Sequence, residues 1–200
     1  MKIKLLSGVV LMSMALVFSS CQKYPQAEVD QANAAIEAAR VAEADVYAAE
    51  DFAALKDSLA MVVNSVEKEK SKLFSNYKDE IAKLNATVET ATTVAEKAQA
   101  KKAEMKEEAT NILAELVTIM DQNTKMLAKA PRGKEGKAAL ELIQNELNSI
   151  QAGMEEANAK LESGDVLSGL NQAKAIKEKA VSIHTELVEV LTKARIKLPF

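Results

Sequence analysis

The feature that most constrains this chain is the segment spanning residues 26–130, which contains no glycine and no proline. These two residue types interrupt helices more reliably than any others. Aromatic residues make up only 4% of the chain, and much of its 48% hydrophobic content is alanine. Because alanine buries little area, thin seams between helices are expected instead of one large core. The sequence therefore predicts an all-α protein organised around a long helix.

Residues 1–20 have the organisation of a bacterial signal peptide. Lys2 and Lys4 form a basic beginning, and the apolar segment that follows, residues 5–18, is too short to span a bilayer comfortably. No later segment is apolar enough to cross a membrane. We therefore expect the chain to be exported and the first 20 residues to be removed.

The only cysteine of the chain comes directly after this segment. Phe18-Ser19-Ser20-Cys21 resembles the lipobox of bacterial lipoproteins, with Phe18 in place of the more usual aliphatic residue. The resemblance implies cleavage before Cys21 and acylation of Cys21, which makes this residue the predicted lipid-attachment site and the membrane the predicted partner. Several acyl chains together anchor a protein stably where one chain does not. The alternative is a secreted protein with a free cysteine.

Residues 21–26 are predicted as the lipidated tether. Gln22 differs from the aspartate that retains enteric lipoproteins at the inner membrane, and no acidic run of the kind linked to surface export follows Cys21. By this resemblance we expect a cell-envelope location on the outer membrane, facing the periplasm.

Residues 27–75 are predicted to form an amino-terminal helical hairpin. One apolar stripe precedes Tyr47, and a second covers residues 55–73 at alternating spacings of four and three. The bulky Tyr47 and Phe52 mark the turn between the stripes, and Asp51 is a candidate N-cap for the second helix. The alternative is one uninterrupted helix through Tyr47.

Part of this hairpin, residues 32–66, resembles a family of alanine-rich helical hairpins of unknown function in envelope lipoproteins. The residues that carry the resemblance are Ile36-Glu37-Ala38-Ala39-Arg40, Ala42, Ala44, Tyr47-Ala48 and residues 52–59. In that family an alanine-rich helix meets a second helix at a tyrosine-alanine corner. The resemblance implies the same fold-back here.

Residues 76–130 are predicted as a long coiled-coil-like helix with two repeating core positions. One position takes Ile81, Val88, Ala95, Lys102, Ala109, Leu116 and Asn123, and the other takes Leu84, Ala91, Ala98, Met105, Ile112, Ile119 and Met126. The frame slips by one residue near residues 74–77, which indicates either a local unwinding of the seam or a break in the helix. Residues 81–126 are a candidate surface for homo-oligomers.

The quality of this seam is uneven. Residues 88–109 offer mostly alanine and threonine, which predicts weak packing there, whereas residues 112–127 are rich in large apolar side chains. Lys102 and Asn123 occupy core positions. They either set the register of an oligomer or mark where the seam opens to water.

Residues 131–136 are predicted as a basic turn, and residues 137–198 as a carboxyl-terminal helical hairpin. The basic side chains Lys129, Arg132, Lys134 and Lys137 either contact an anionic polymer or complement a helix dipole. Within the hairpin, a heptad predicts the core of the first helix at Ile143, Leu147, Ile150, Met154, Ala157 and Leu161. The core of the second helix is predicted at Val166, Leu170, Ala173, Ile176, Ala180, Ile183, Leu187, Leu191 and Ala194. Gly164 is predicted to end the first helix and Asp165 to cap the second, which continues until Pro199. Short loops predict an antiparallel three-helix bundle with the end of the long helix.

The composition argues against several functional classes. Acidic residues outnumber basic ones, 29 to 26, which disfavours nucleic acid as a partner. The only histidine, His184, lies beside an apolar stripe and is expected at a helix seam. We therefore predict no catalytic residues, no cofactor and no metal site.

Two hypotheses about function remain. The first is a membrane-anchored lipoprotein with a structural, scaffolding or protein-interaction role, whose partner is an envelope protein or the cell wall. The second is a periplasmic binding module in which residues 112–196 hold a hydrophobic ligand or client protein. Met105, Met120, Met126 and Met154 would line its groove.

Overall fold

A computed structural model describes residues 23–133 and 136–200, so the predicted signal peptide, Cys21 and Lys134 lie outside the described residues. The described residues form six helices and no strand, which confirms the all-α fold. The helices are α1 (Gln26–Val41), α2 (Ala44–Tyr47), α3 (Ala49–Lys70), α4 (Lys78–Lys129), α5 (Gly136–Ser163) and α6 (Val166–Lys193).

The described residues divide into two compact units, the first ending at Lys101 and the second running from Lys102 to Phe200. We call them unit 1 and unit 2. The long helix α4 therefore contributes to both units and is not a separate region between two hairpins. The physical reason is area: a hairpin with narrow, alanine-rich faces buries too little apolar surface alone, and a third helix supplies what is missing.

The segment without glycine or proline is not one continuous helix. The helix α1 ends at Val41, and Glu43 then adopts the left-handed conformation with φ of 61°. The fold-back predicted near Tyr47 is present, but Asp51 is not the N-cap, because Ala48 holds that position and Asp51 lies in the first turn of α3. The absence of helix breakers permits a helix to continue but does not require it to.

A second break separates α3 from α4. The helix α3 ends at Lys70 and α4 begins at Lys78, so the frame slip near residues 74–77 marks a true interruption. The predicted stripe over residues 55–73 is buried only as far as Val66 and does not reach Leu73, which is 86% exposed.

Unit 1 is a three-helix bundle made of α1, α3 and the first part of α4. One core cluster joins Ala39, Ala44, Phe52 and Leu55 to Ala91, Val94 and Ala98. A second cluster joins Val29, Ala32, Leu59, Val62 and Val66 to Tyr77 and Leu84. The stretch that was predicted to pack weakly, residues 88–109, contributes Ala91, Val94 and Ala98 to the first cluster, because small side chains let helices approach closely. None of residues 99–108 is buried.

The register of the α4 seam differs from the prediction in unit 1. The position occupied by Leu84, Ala91 and Ala98 is buried as predicted. The other predicted position, which includes Ile81 and Val88, is only half-buried. In its place Glu80, Thr87 and Val94 are buried, one residue earlier in the sequence. The heptad alone could not distinguish these two core positions, because each of them lies next to the stripe formed by Leu84, Ala91 and Ala98.

Unit 2 is a three-helix bundle made of the rest of α4, α5 and α6. The buried residues of α5 are the six predicted from its heptad: Ile143, Leu147, Ile150, Met154, Ala157 and Leu161. Ion pairs join Glu108 to Lys174 and Glu115 to Lys177, so α4 and α6 run parallel. The helix α5 runs between them in the opposite direction, as the short loops predicted.

The turn between α5 and α6 has the predicted chemistry. Gly164 has a φ of 91°, and the Asp165 side chain accepts a hydrogen bond of 3.2 Å from the backbone N–H of Ser168. At the other end, α6 stops at Lys193 and does not continue to Pro199. Arg195 takes a left-handed conformation with φ of 55°, and the Ile196 N–H donates to the Leu191 carbonyl, which closes the helix before the proline is reached.

Candidate functional site

The predicted lipid-attachment residue, Cys21, lies two positions before the first described residue. The nearest described contacts are those of Tyr24. The Tyr24 hydroxyl donates a 2.7 Å hydrogen bond to the Glu67 carboxylate, and this bond raises the pKa of Tyr24. The Tyr24 ring meets Tyr77 edge-on at 6.0 Å, and the Lys70 ammonium lies 4.8 Å from its centroid. The predicted tether over residues 21–26 therefore ends earlier, because Tyr24 already packs on unit 1.

The turn between α3 and α4, residues 71–77, lies at this same end of unit 1. Glu69, at the end of α3, forms an ion pair with Lys72 and accepts a 3.1 Å hydrogen bond from the Asn76 N–H. The Asn76 side chain in turn accepts from the Lys78 N–H at 3.2 Å, which caps α4. Glu69 thus holds both ends of the turn in place.

Acidic pH should weaken this turn through Glu69. Its hydrogen bonds with Lys72 and then with the Asn76 N–H lower the pKa of Glu69. A lowered pKa stabilises the fold above the unfolded value of about 4.3, and this contribution is lost as pH falls through the folded value. We expect Glu69→Gln to have a lower urea midpoint than the unmodified protein at pH 7, with the difference shrinking below pH of about 4.

The control for this measurement is Glu89→Gln, which removes an exposed carboxylate from α4. Its urea midpoints, followed by circular dichroism from neutral to acidic pH, should match those of the unmodified protein. A constant difference between Glu69→Gln and the unmodified protein across the whole series would contradict the role given to Glu69.

Unit 1 also has an open groove between α3 and α4, with a volume of 640 Å³. Its walls are small, apolar and hydroxyl-bearing side chains, and the charged Asp51 and Lys83 also line it. The lining residues are Asp51, Ala54, Leu55, Ser58, Met61, Val62, Ser65, Lys83, Ala86, Thr87, Thr90 and Val94. The groove offers a surface for apolar contact and has no histidine or cysteine in its walls.

The methionines named for a groove in unit 2 mostly serve packing. Met126 is completely buried and Met154 is part of the α5 core, whereas Met105 and Met120 are half-buried. A cavity of 270 Å³ described in unit 2 has other walls. They are Leu127, Arg132, Lys137, Leu140, Glu141 and Gln144.

Asn123 and His184 form a buried polar contact inside unit 2. The Asn123 amide donates a 2.9 Å hydrogen bond to the Ala180 carbonyl, so its oxygen must face His184, whose Nδ1 lies 2.9 Å away. An amide oxygen only accepts, hence His184 carries its proton on Nδ1. Asn123 is therefore neither a mark of a water-filled seam nor free to pair with a second copy. His184 is the seam residue that was predicted.

The basic residues near residues 131–136 are exposed where they are described. Arg132 lines the small cavity of unit 2, and Lys137 lies 4.0 Å from Glu141, one turn further along α5. Lys129 is in the last turn of α4, where a cation complements the helix dipole.

Two kinds of feature are absent from residues 23–133 and 136–200. No group of three or more histidine, cysteine or acidic side chains in this part of the chain could hold a metal ion. No helix within it is both long enough and apolar enough to cross a bilayer.

No protein-family model matches this chain, and no curated protein or solved structure matches it either. The resemblance of residues 32–66 to alanine-rich hairpins of envelope lipoproteins stays a prediction.

Sequence reasoning missed the character of the turn between α3 and α4. Leu73 was assigned to the α3 stripe, yet Leu73 and Phe74 are 86% and 64% exposed. The signal was present as the frame slip beside them, because an apolar residue at a slip has lost the helical face that would bury it.

Proposed function

We propose that this protein is a membrane-anchored cell-envelope lipoprotein with a structural, scaffolding or protein-interaction role and no catalytic activity. The anchor is the acylated Cys21, and the expected location is the outer membrane, facing the periplasm. The partner is an envelope protein or a component of the cell wall.

The observation that carries this proposal is the packing of Tyr24. Cys21 is only three positions before Tyr24, whose side chain is fixed on unit 1 by Glu67, Lys70 and Tyr77. Three residues span at most about 11 Å. Acyl chains on Cys21 would therefore hold unit 1 at the bilayer surface and not at the end of a long flexible arm. Such a close attachment suits a protein that presents helical surfaces at a fixed position beside the membrane.

The rest of the described chain is consistent with a structural role. Two of the polar residues buried within the helical units, Asn123 and Glu80, are hydrogen-bonded to the Ala180 carbonyl and the Ser65 hydroxyl, so they join neighbouring helices. The sequence positions named for a homo-oligomer, residues 81–126, contribute the buried members of α4 to the cores of units 1 and 2. Homo-oligomers formed through the remaining surface of this helix stay a prediction.

The groove of unit 1 favours a second candidate function, the binding of an apolar ligand or client helix. Its 640 Å³ volume falls in the range of small-molecule sites. This differs from the methionine-lined site considered from the sequence, because the groove lies between α3 and α4 within unit 1.

The experiment that tests the anchor compares the full chain with Cys21→Ser after expression in a Gram-negative host. We expect the amino-terminal peptide of the unmodified chain to begin at Cys21 and to carry the mass of its acyl groups. Cys21→Ser should lose acyl labelling, whereas Gln22→Ala, the adjacent control, should keep it. Lipid extraction of the same sample would reveal any ligand held in the groove.

An amino-terminal peptide without lipid would overturn the proposed anchor. So would a Cys21→Ser chain that keeps the acyl labelling of the unmodified chain.

A further inference from the structure

We propose that the turn between α3 and α4 is a second membrane-contact site, which inserts Leu73 and Phe74 into the bilayer interface beside the lipid anchor. The proposal rests on the proposed function, because it takes the anchor at Cys21 as its starting point. It adds a defined contact between the folded unit and the lipid.

The first observation is the exposure of two adjacent large apolar side chains. Leu73 is 86% exposed and Phe74 is 64% exposed. Single exposed apolar residues are normal on a protein surface, but adjacent ones form a patch. The turn that carries them is held by Glu69 at both ends, through Lys72 and the Asn76 N–H. The two side chains are therefore presented on a supported turn.

The second observation is the position of this turn relative to the start of the folded chain. Tyr77, the last residue of the turn, packs edge-on against Tyr24 at 6.0 Å. Lys70, which precedes the turn, lies over the same Tyr24 ring. Cys21 is three residues before Tyr24 and therefore within about 11 Å of it. The anchor and the exposed pair thus belong to one end of unit 1.

The third observation is the charge around the exposed pair. Five exposed lysines lie close to it in the sequence or at the start of the folded chain: Lys23, Lys68, Lys70, Lys72 and Lys78. Of these, Lys70 is paired with Glu67 and Lys72 with Glu69. Among the nearby acids, Glu69 and Glu80 are buried and hydrogen-bonded, whereas Asp30, Glu67 and Asp79 are exposed, so the exposed lysines outnumber the exposed acids. Lysines flanking an apolar pair suit a membrane interface, because their long stems lie along the apolar region while the ammonium groups reach anionic headgroups.

These observations favour a bilayer over a protein partner as the occupant. An acylated Cys21 would place lipid within about 11 Å of Tyr24 whatever else is bound, and the basic rim is complementary to anionic headgroups. A protein partner would have to occupy the same narrow space between unit 1 and the membrane.

Tryptophan fluorescence tests the proposal directly, since the chain contains no tryptophan. Phe74→Trp places the only reporter in the turn. Val41→Trp is the matched control, because Val41 is 72% exposed and ends α1 about 22 Å along the helix from the anchor end. Each full-length acylated protein is reconstituted into vesicles of phosphatidylethanolamine and phosphatidylglycerol, with and without bromine on the acyl chains.

We expect the emission of Phe74→Trp to move to shorter wavelength on reconstitution and to be quenched by brominated lipid several times more strongly than that of Val41→Trp. Equal quenching of the two variants would overturn the proposal. A shift to shorter wavelength without quenching would also overturn it, because it would place the turn against protein.

The mass of the amino-terminal peptide, taken from the same samples, separates this proposal from the anchor itself. Acylated Cys21 with an unquenched Phe74→Trp refutes only the second contact. Where Cys21 carries no lipid, the full chain is mixed with the same vesicles. Quenching of Phe74→Trp then supports the contact while the anchor fails, and no quenching overturns both.

Discussion

Leu116→Ala is expected to lower the free energy of unfolding of unit 2 by about 3 kcal/mol. The Leu116 side chain is fully buried in α4, at 0% exposure, within a bundle closed on its other sides by α5 and α6. Truncation to alanine removes buried methyl groups and leaves a cavity that packed neighbours fill only in part. The loss therefore exceeds the simple transfer free energy of the deleted atoms.

The next residue provides a matched control. Val117 is 60% exposed on the same helix, and Val117→Ala should change the free energy of unfolding by no more than about 0.5 kcal/mol. Native-state hydrogen exchange of the α5 and α6 amides reports on unit 2 separately from unit 1. Equal losses of protection in the two variants would show that Leu116 does not lie in the core.

Asn123→Ala is expected to cost unit 2 about 2 to 3 kcal/mol. The substitution deletes the hydrogen bond to the Ala180 carbonyl and the partner of His184 Nδ1, both inside the bundle. A buried polar group left without a partner costs more than the net value of the bond it loses. His184 is also stacked against Phe200 at 6.0 Å, so its ring has limited freedom to find another partner.

The exposed Asn148 is the control for this prediction. It accepts a 3.1 Å hydrogen bond from Gln144 on the surface of α5, and Asn148→Ala should cost no more than about 0.5 kcal/mol. A double-mutant cycle of Asn123→Ala and His184→Ala, read by hydrogen exchange, should give a coupling of about 1 kcal/mol. Additive effects would show that the two side chains do not interact.

The helices of unit 2 were the most predictable part of the fold. The apolar residues of α5 repeat at spacings of four and three over the whole helix, and its six predicted core residues are all buried. The turn at Gly164 and Asp165 was predicted equally well, because the preference of glycine for the left-handed conformation and of aspartate for the N-cap position are local properties. Neither feature depends on which distant segment completes the bundle.

Unit 1 was less predictable because its decisive contacts are distant in sequence. Ala91 and Ala98 carry little hydrophobic area and predict little on their own, yet both are buried against α1 and α3. Glu80 is buried where the heptad favoured Ile81, since the Ser65 hydroxyl of α3 satisfies its carboxylate at 2.8 Å. A pattern of apolar residues cannot show that a serine far away in the sequence will donate the hydrogen bond that allows Glu80 to be buried.

At the amino-terminal end of unit 1, one part of the candidate site was predicted from the sequence and the rest required the structure. Cys21 as a lipid-attachment site is a prediction of the sequence alone, because the resemblance to a lipobox rests on a short linear pattern. Tyr24 gave no such signal, and its importance comes from contacts with Glu67, Lys70 and Tyr77. The exposed pair at Leu73 and Phe74 also required the structure, because the sequence placed Leu73 in a buried stripe.

The sequence by itself determined that this protein is all-α, because helix propensity and apolar periodicity are local properties. It also determined the seams of α5 and α6 and the turn between them. Only the tertiary structure decided that residues 26–130 fold into four helices, and that α4 completes two separate bundles. The reason is that a helix continues or turns according to the apolar area that each course buries, and that area is supplied by partners far away in the sequence.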